Sequence, residues 1–374
     1  MLLGFLLCAG ISVSPAQEAA SVWPYRMSGG KMLVDMVIGG NERTFIFDTG
    51  GKTALTAELC EELGIPVTDS LIVTDVNSHE QVYPIVTIPE LTATDGQLAF
   101  ADVKAMQLAS SFPFNYFGAV GLIGSDVLVH SIVTIDPQAG TITVAPAGAQ
   151  PKASLRKMIP FAEKTHMPIV TVQMSSGNAV NVLFDTGSPG FFSLREKDFE
   201  LMQDMGVFRV IGQGAGGSSF GTGGMSDARS LLRVEIPEIT VAGTRFNNII
   251  TETATPPYSL LGVKLLDYGK VTIDYVRRRF YFEAQEKEYT LDDKPRQLYL
   301  QITDGDLVVS EWWGDLWKVV KLGDRVTKIN GSPVRKYDLR DGLINGIPEL
   351  KADGRVEITV LTDEGEKVVV YKEE

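Results

Sequence analysis

Two tetrapeptides carry the residues best suited to chemistry. Phe47-Asp48-Thr49-Gly50 recurs as Phe184-Asp185-Thr186-Gly187, an offset of 137 residues (185 − 48). A single Asp-Thr-Gly is a weak signal, because an Asp ahead of Thr and Gly usually does no more than end a strand in a turn. Two of them, each behind an apolar run (Thr44-Phe45-Ile46-Phe47 and Val180-Asn181-Val182-Leu183-Phe184), are a stronger one. If the two turns meet, carboxylates about 4 Å apart repel by about 4 kcal/mol at an effective dielectric of about 20, equivalent to roughly three pK units. Such a pair shares one proton. The ionised group can then take a proton from a water held between the two, while the protonated group donates to a carbonyl, the acid and base needed to hydrolyse an amide. The two titrations belong to the pair and not to either residue.

Bringing the turns together requires two equivalent halves, and the sequence supplies them. Gly40-Asn41 recurs as Gly177-Asn178 at the same offset, each a turn between two alternating apolar stretches that read as a β-hairpin. Leu122-Ile123-Gly124 recurs as Leu260-Leu261-Gly262, and Val133-Thr134-Ile135-Asp136 as Val271-Thr272-Ile273-Asp274, both offset by 138. Four matched pairs in one order indicate an internal duplication. Two lobes related by a pseudo-twofold axis place equivalent turns side by side, and the motif glycines let the backbones approach.

Each half carries one short helical pattern after its Asp-Thr-Gly, over residues 56–63 ahead of Gly64 and 193–205 ahead of Gly206. Thr56 and Ser193 are the expected N-caps and the glycines the expected C-caps. The remainder, as in residues 70–108 and 230–251, consists of β-branched and apolar runs broken by Gly, Pro, Asn and Asp. The expected architecture is mainly β, with lobes over residues 17–150 and 151–290.

These motifs resemble those of the pepsin-like and retropepsin-like aspartic peptidases in their two-lobed, single-chain form. The resemblance implies that Asp48 and Asp185 activate the water, that the Thr49 and Thr186 hydroxyls interlock across the lobe interface, and that Gly50 and Gly187 hold the loops close. It also implies that 122–124 and 260–262 cross behind those loops. The residue after the motif often bears a hydroxyl or is Ala in that family; here it is Gly51 in one half and Ser188 in the other. Ser188 is therefore expected to orient Asp185, a service Gly51 cannot give Asp48. A hairpin flap over the site has two candidates: residues 73–83, with Asn77 and Tyr83, and the glycine-rich 212–224, with Gly214 and Gly216. The second run lacks the Gly-Lys-Ser/Thr ending of a phosphate loop. The implied activity is that of an aspartic endopeptidase on polypeptides, with no cofactor and no metal. The competing reading is an inactive peptide-binding scaffold with a protease-like cleft, against which stands the cost of keeping two close carboxylates without a use for them.

After Lys294-Pro295 the duplication ends, and residues 296–374 form a separate unit. Leu322-Gly323-Asp324-Arg325-Val326-Thr327-Lys328-Ile329-Asn330-Gly331-Ser332-Pro333-Val334 resembles the Gly-Asp and Ile-Asn-Gly stretch of PDZ domains. A small α+β domain is implied, with a helical stretch over 337–344 and strands over 356–360 and 367–371. Such domains bind a peptide by adding it to a sheet edge, although the recognisable carboxylate-binding loop is absent. Trp312, Trp313 and Trp317 stand where that family has small residues, and packing onto the second lobe is the favoured use for them.

Composition bounds the partners. The chain has 34 basic and 47 acidic residues, a net charge of −13, and no run of Lys or Arg, which excludes a phosphate-tracking surface and with it a nucleic acid partner. Met1 to Gly10 is apolar and leads to Ser14-Pro15-Ala16, so residues 1–16 read as an export signal cut after Ala16, sending the protein to a periplasmic or extracellular location. A lipid anchor on Cys8 is disfavoured, since Phe5-Leu6-Leu7 offers no small residue. Cys60 is then the sole remaining cysteine, leaving no intramolecular disulfide and no Cys-based metal cluster. No later run reaches the roughly 18 apolar residues of a membrane span. His79, His130 and His166 form no His-Glu-x-x-His pattern, so zinc and Ser-His-Asp hydrolysis lack support.

Overall fold

A computed structural model describes residues 19–74, 80–109, 113–217, 220–221, 224–225 and 227–372. The expected export signal with Cys8, and also Asn77 and His79, lie outside these residues. The two lobes are built mainly of strands, and both start from the same device. Lys31–Ile38 pairs antiparallel with Asn41–Asp48, and Ile169–Met174 with Ala179–Asp185. Gly39 and Gly40 turn the first hairpin at φ +58° and +76°, a left-handed region that side-chain-bearing residues enter at a cost.

The helices follow the sequence in one half and depart from it in the other. Ala57–Glu62 starts at Thr56, whose Oγ1 accepts the Leu59 N–H at 3.3 Å, as expected. In the second half Ser193 is no cap. It belongs to the strand Phe192–Arg195 and pairs with Leu260, and the helix begins only at Glu196. Strand pairing claims the Ser193 backbone, and Arg195 takes the position ahead of the helix, its guanidinium on Asp198 at 2.5 Å and 3.1 Å.

The lobes are joined by one continuous sheet. Ser131–Asp136 pairs antiparallel with Gly269–Asp274, Val133 opposite Ile273, Thr134 opposite Thr272 and Ile135 opposite Val271. The Thr134 and Thr272 hydroxyls meet at 3.0 Å. One hydrophobic core runs through both lobes, with Trp23, Phe45, Phe47 and Phe100 in the first and Phe184, Phe246, Phe280 and Phe282 in the second. Trp23 sets its ring edge-on to Phe47 and Phe100 at 6.3 Å and 6.4 Å, a favoured aromatic geometry directly behind the first Asp-Thr-Gly. Cys60 is buried in this core as a free thiol.

The C-terminal unit is a small α+β module with a core of its own, including Leu298, Leu307, Val309, Val326, Ile358 and Val360. Its helix, Leu339–Asn345, is capped by Asp338, which accepts the Asp341 N–H at 2.8 Å. The final strands are Val356–Thr362 and Gly365–Lys372. The module docks on the second lobe by strand pairing: Asp306–Trp313 runs antiparallel to Arg209–Gly216, Gly214 opposite Trp313 and Gly216 opposite Glu311.

That pairing corrects the expectation of a free glycine-rich flap at Gly214 and Gly216. Both lie in an interior strand, held between Arg229–Val241 and Asp306–Trp313. The glycines are needed there for proximity: a β-carbon on Gly214 would stand 2.7 Å from the Trp313 ring, and one on Gly216 2.7 Å from Glu311 Cα. Trp313, 2% exposed, lies under the Arg233 guanidinium at 3.8 Å from the ring centre. Trp312 packs against the module's own core and Trp317 is 56% exposed, so of the three tryptophans expected to pack onto the second lobe Trp313 is the one that does.

Candidate active site

Asp48 and Asp185 end equivalent strands, and each strand has a short parallel partner. Asp48 lies opposite Gly124, and Asp185 opposite Gly262. This explains why an apolar-apolar-Gly string accompanies each motif. The apolar residues fill the core, and the glycine lies against the loop that follows the motif. A β-carbon on Gly124 would stand 2.6 Å from the Gly51 carbonyl oxygen; one on Gly262 would collide with the Gly190 carbonyl.

The loops are cross-bonded at their tips. Thr49 donates its hydroxyl to the Phe184 carbonyl at 2.7 Å, and Thr186 donates to the Phe47 carbonyl at 2.8 Å. Each hydroxyl also accepts the other threonine's N–H, at 3.0 Å and 3.1 Å. All four partners are buried. Hydrogen bonds between buried groups that would otherwise go unsatisfied are costly to break, so the two loops are locked in register.

The lock brings the carboxylates together. Gly50 N–H donates to Asp48 Oδ1 at 3.0 Å and Gly187 N–H to Asp185 Oδ1 at 2.8 Å. Each motif glycine faces the other lobe's acid: a β-carbon on Gly50 would stand 2.6 Å from Asp185 Cγ, and one on Gly187 2.7 Å from Asp48 Cγ. Asp185 is 6% exposed. Burial pushes its carboxyl well above the usual carboxylate range, and the Asp48 charge and a hydrogen bond with Asp48 push the same way; Lys31 and the Gly187 N–H oppose them. The arrangement retains a proton at a pH where an isolated carboxyl has lost it.

Several supporting residues carry no signal in the motifs. Ser125, directly after the first apolar-apolar-Gly, donates to the Thr49 carbonyl at 2.6 Å and lies 2.9 Å from the Tyr275 hydroxyl of the other lobe. Tyr275 directly follows the second Val-Thr-Ile-Asp, so its place beside a repeated string was the available clue. Thr53 fixes the first loop by donating its hydroxyl and N–H to Asp126, at 2.7 Å and 3.0 Å. Ser188 contributes main chain: its N–H donates to the Asp185 carbonyl at 3.1 Å and its carbonyl accepts from Val263 at 2.9 Å. Its hydroxyl makes no bond to Asp185, so the expected orienting role is filled by the Gly187 N–H instead.

Neither the scan against family models nor the search of curated proteins matches this chain. Among solved structures, the chain is similar to the aspartic proteinase from Irpex lacteus, with a TM-score of 0.45 at 12% identity, over 72% of this chain and 98% of that one.

Of the two flap candidates, the lobe-one hairpin is Val67–Thr74 with Glu80–Ala93. Tyr83 is buried midway along it, opposite Leu71, in a cluster with Ile46, Phe114 and Leu122, its hydroxyl on Gln81 at 3.1 Å. The C-terminal module reaches this lobe too. Its helix Leu339–Asn345 packs on Pro113–Phe117, Arg340 Nε donates to the Tyr116 carbonyl at 3.2 Å, and the Leu343 carbonyl lies against Gly29. Among the described residues no group of His, Cys, Asp and Glu is arranged to hold a metal, and no helix is long and apolar enough to cross a membrane.

Proposed function

We propose that this protein is an aspartic-type peptidase that hydrolyses polypeptides with a water activated by Asp48 and Asp185. The observation that carries this reading is the cross-bonded pair of Asp-Thr-Gly turns, which sets two carboxylates face to face, one of them buried with its carboxyl pushed well above the usual range. Before the reaction the dyad bears one proton. The ionised carboxylate removes a proton from the water as its oxygen attacks the peptide carbonyl, and the protonated one donates to the carbonyl oxygen. Collapse of the tetrahedral intermediate returns a proton to the leaving amine and regenerates the dyad. The Gly50 and Gly187 N–H groups hold Asp48 Oδ1 and Asp185 Oδ1 and cost no reorganisation as charge moves. No cofactor or metal enters this scheme.

The C-terminal module fits a role in gathering substrate. Among the described residues its strand Leu298–Thr303 pairs on one side only, with Asp306–Trp313, which leaves an edge to which an extended peptide adds by main-chain hydrogen bonds.

The test is cleavage of an unstructured protein by residues 17–374 from about pH 3 to pH 8, beside Asp48→Asn and Asp185→Asn, with a loss of roughly a thousandfold or more expected in each. A parent protein that binds peptide but never cleaves it would turn the reading to the peptide-binding scaffold.

A further inference from the structure

The dyad lies next to one cation that the pseudo-twofold does not repeat. Lys31, the first residue of the hairpin strand Lys31–Ile38, extends its side chain across the lobe interface and donates from Nζ to the Gly187 carbonyl at 2.5 Å. Gly187 is the residue on which the charges converge. Its N–H bonds Asp185, its α-carbon faces the Asp48 carboxylate, and its carbonyl holds the Lys31 ammonium. The register of the second hairpin, Ile169 on Leu183 as Leu33 on Ile46, puts Met167 at the matching position, and it carries no charge.

We infer that Lys31 is a positioning residue of the dyad, the built-in countercharge that sets the pH range over which Asp48 and Asp185 carry a single negative charge. This deepens the reading of the site as a peptidase and rests on it. A fixed cation stabilises each successive negative charge on the pair, so it lowers both ionisations: loss of the first proton and loss of the second. The singly charged, working form is thereby moved toward acid. The direction in which Lys31 acts on Asp185 agrees, opposing burial and the Asp48 charge.

The other charged or titratable groups near the site face it from elsewhere. Tyr275 reaches it through Ser125 and feels the charges of Asp126 and Asp48; burial keeps it neutral throughout the working range. His166 senses Lys52 and Asp126, and burial first, then Lys52, hold its pKa below the usual histidine value. Lys31 alone among these cations acts on Asp185.

Two measurements test the inference, on residues 17–374 with Lys31→Met, Lys31→Gln and Lys31→Arg. In the pH profile of kcat/KM, which reports ionisations of the free enzyme, both limbs should move to higher pH by roughly one unit in the Met and Gln variants and stay near the parent's in Arg, which keeps the charge. The carboxyl-carbon NMR titration of Asp48 and Asp185 should show the same upward shift, and it reads protons whether or not the protein turns over. A uniform fall in kcat/KM with unmoved limbs, or carboxyl titrations that coincide in parent and Lys31→Met, would overturn the role of Lys31. A parent that is inactive yet shows the titration shift sinks the peptidase reading and leaves the countercharge standing.

Discussion

Gly50 stands directly over the Asp185 carboxyl group: a β-carbon added there would lie 2.6 Å from Asp185 Cγ, closer than real β-carbons approach any heavy atom. A methyl at this point must displace the acid or part the loops. Gly50→Ala is expected to lower kcat/KM by about a hundredfold or more while leaving the far-ultraviolet circular dichroism unchanged, since misplacing a reacting group by about 1 Å costs that much. Near-parental activity would show that the carboxylates need not lie where the glycines put them.

Thr186→Val tests the lock between the lobes. The valine removes the bond to the Phe47 carbonyl and leaves the buried Thr49 N–H without its acceptor. A loss of about 2–3 kcal/mol follows from stranding buried polar groups, and calorimetry should show the melting transition lowered by several degrees. Thr186→Ser, which keeps the hydroxyl, should recover most of that loss.

Docking of the C-terminal module is expected to weaken with rising pH. Glu311, 4% exposed, accepts the Trp313 indole N–H at 2.6 Å in the strand that pairs with Arg209–Gly216. Burial, followed by the charge of Glu252, pushes its carboxyl up from 4.5 to about 7. A raised carboxyl favours the docked state while protonated; its contribution is complete below about pH 4.5 and is lost as pH climbs through about 7. The cost of charging it is on the order of 3 kcal/mol. Thermal scans between pH 4 and pH 8 (about that range suffices) should show this slope in the parent and a flatter one in Glu311→Gln, which stays neutral. Identical slopes would place the ionisation elsewhere.

Arg340→Glu sets a carboxylate against the Tyr116 carbonyl and should release the helix Leu339–Asn345 from the first lobe. Hydrogen exchange is expected to speed roughly tenfold in residues 113–117 and 339–345, the effect of about 1.4 kcal/mol, with the shared core unchanged. Unaltered exchange in both segments would mean that the bond to Tyr116 contributes nothing to docking.

The two lobes were legible in the sequence because duplication writes each structural need twice. Asp48 and Asp185, and Thr134 and Thr272, are paired in the sequence before they are paired in space. Thr56 capped its helix as read, for a cap depends on residues three apart. Ser193 failed because Leu260, distant along the chain, recruits it into a strand, a contact no local pattern encodes. Gly214 and Gly216 misled for a related reason: glycine permits flexibility but equally permits close packing, and the neighbours requiring it, Trp313 and Glu311, belong to another domain. Lys31, Ser125 and Tyr275 were hard to read because each bonds a residue of the opposite lobe and has no matching residue in the other repeat; the place of Ser125 and Tyr275 beside repeated strings was the one clue.

The pairing of Ser131–Asp136 with Gly269–Asp274 is symmetric about its middle. Its register is centred on Thr134 opposite Thr272, with Val133 facing Ile273 and Ile135 facing Val271, so each residue meets the repeat counterpart of its own neighbour across that centre. A strand that pairs this way with its duplicate would pair in the same way with an identical copy of itself. The seam between the lobes thus has the form of a homodimer interface, closed within one chain.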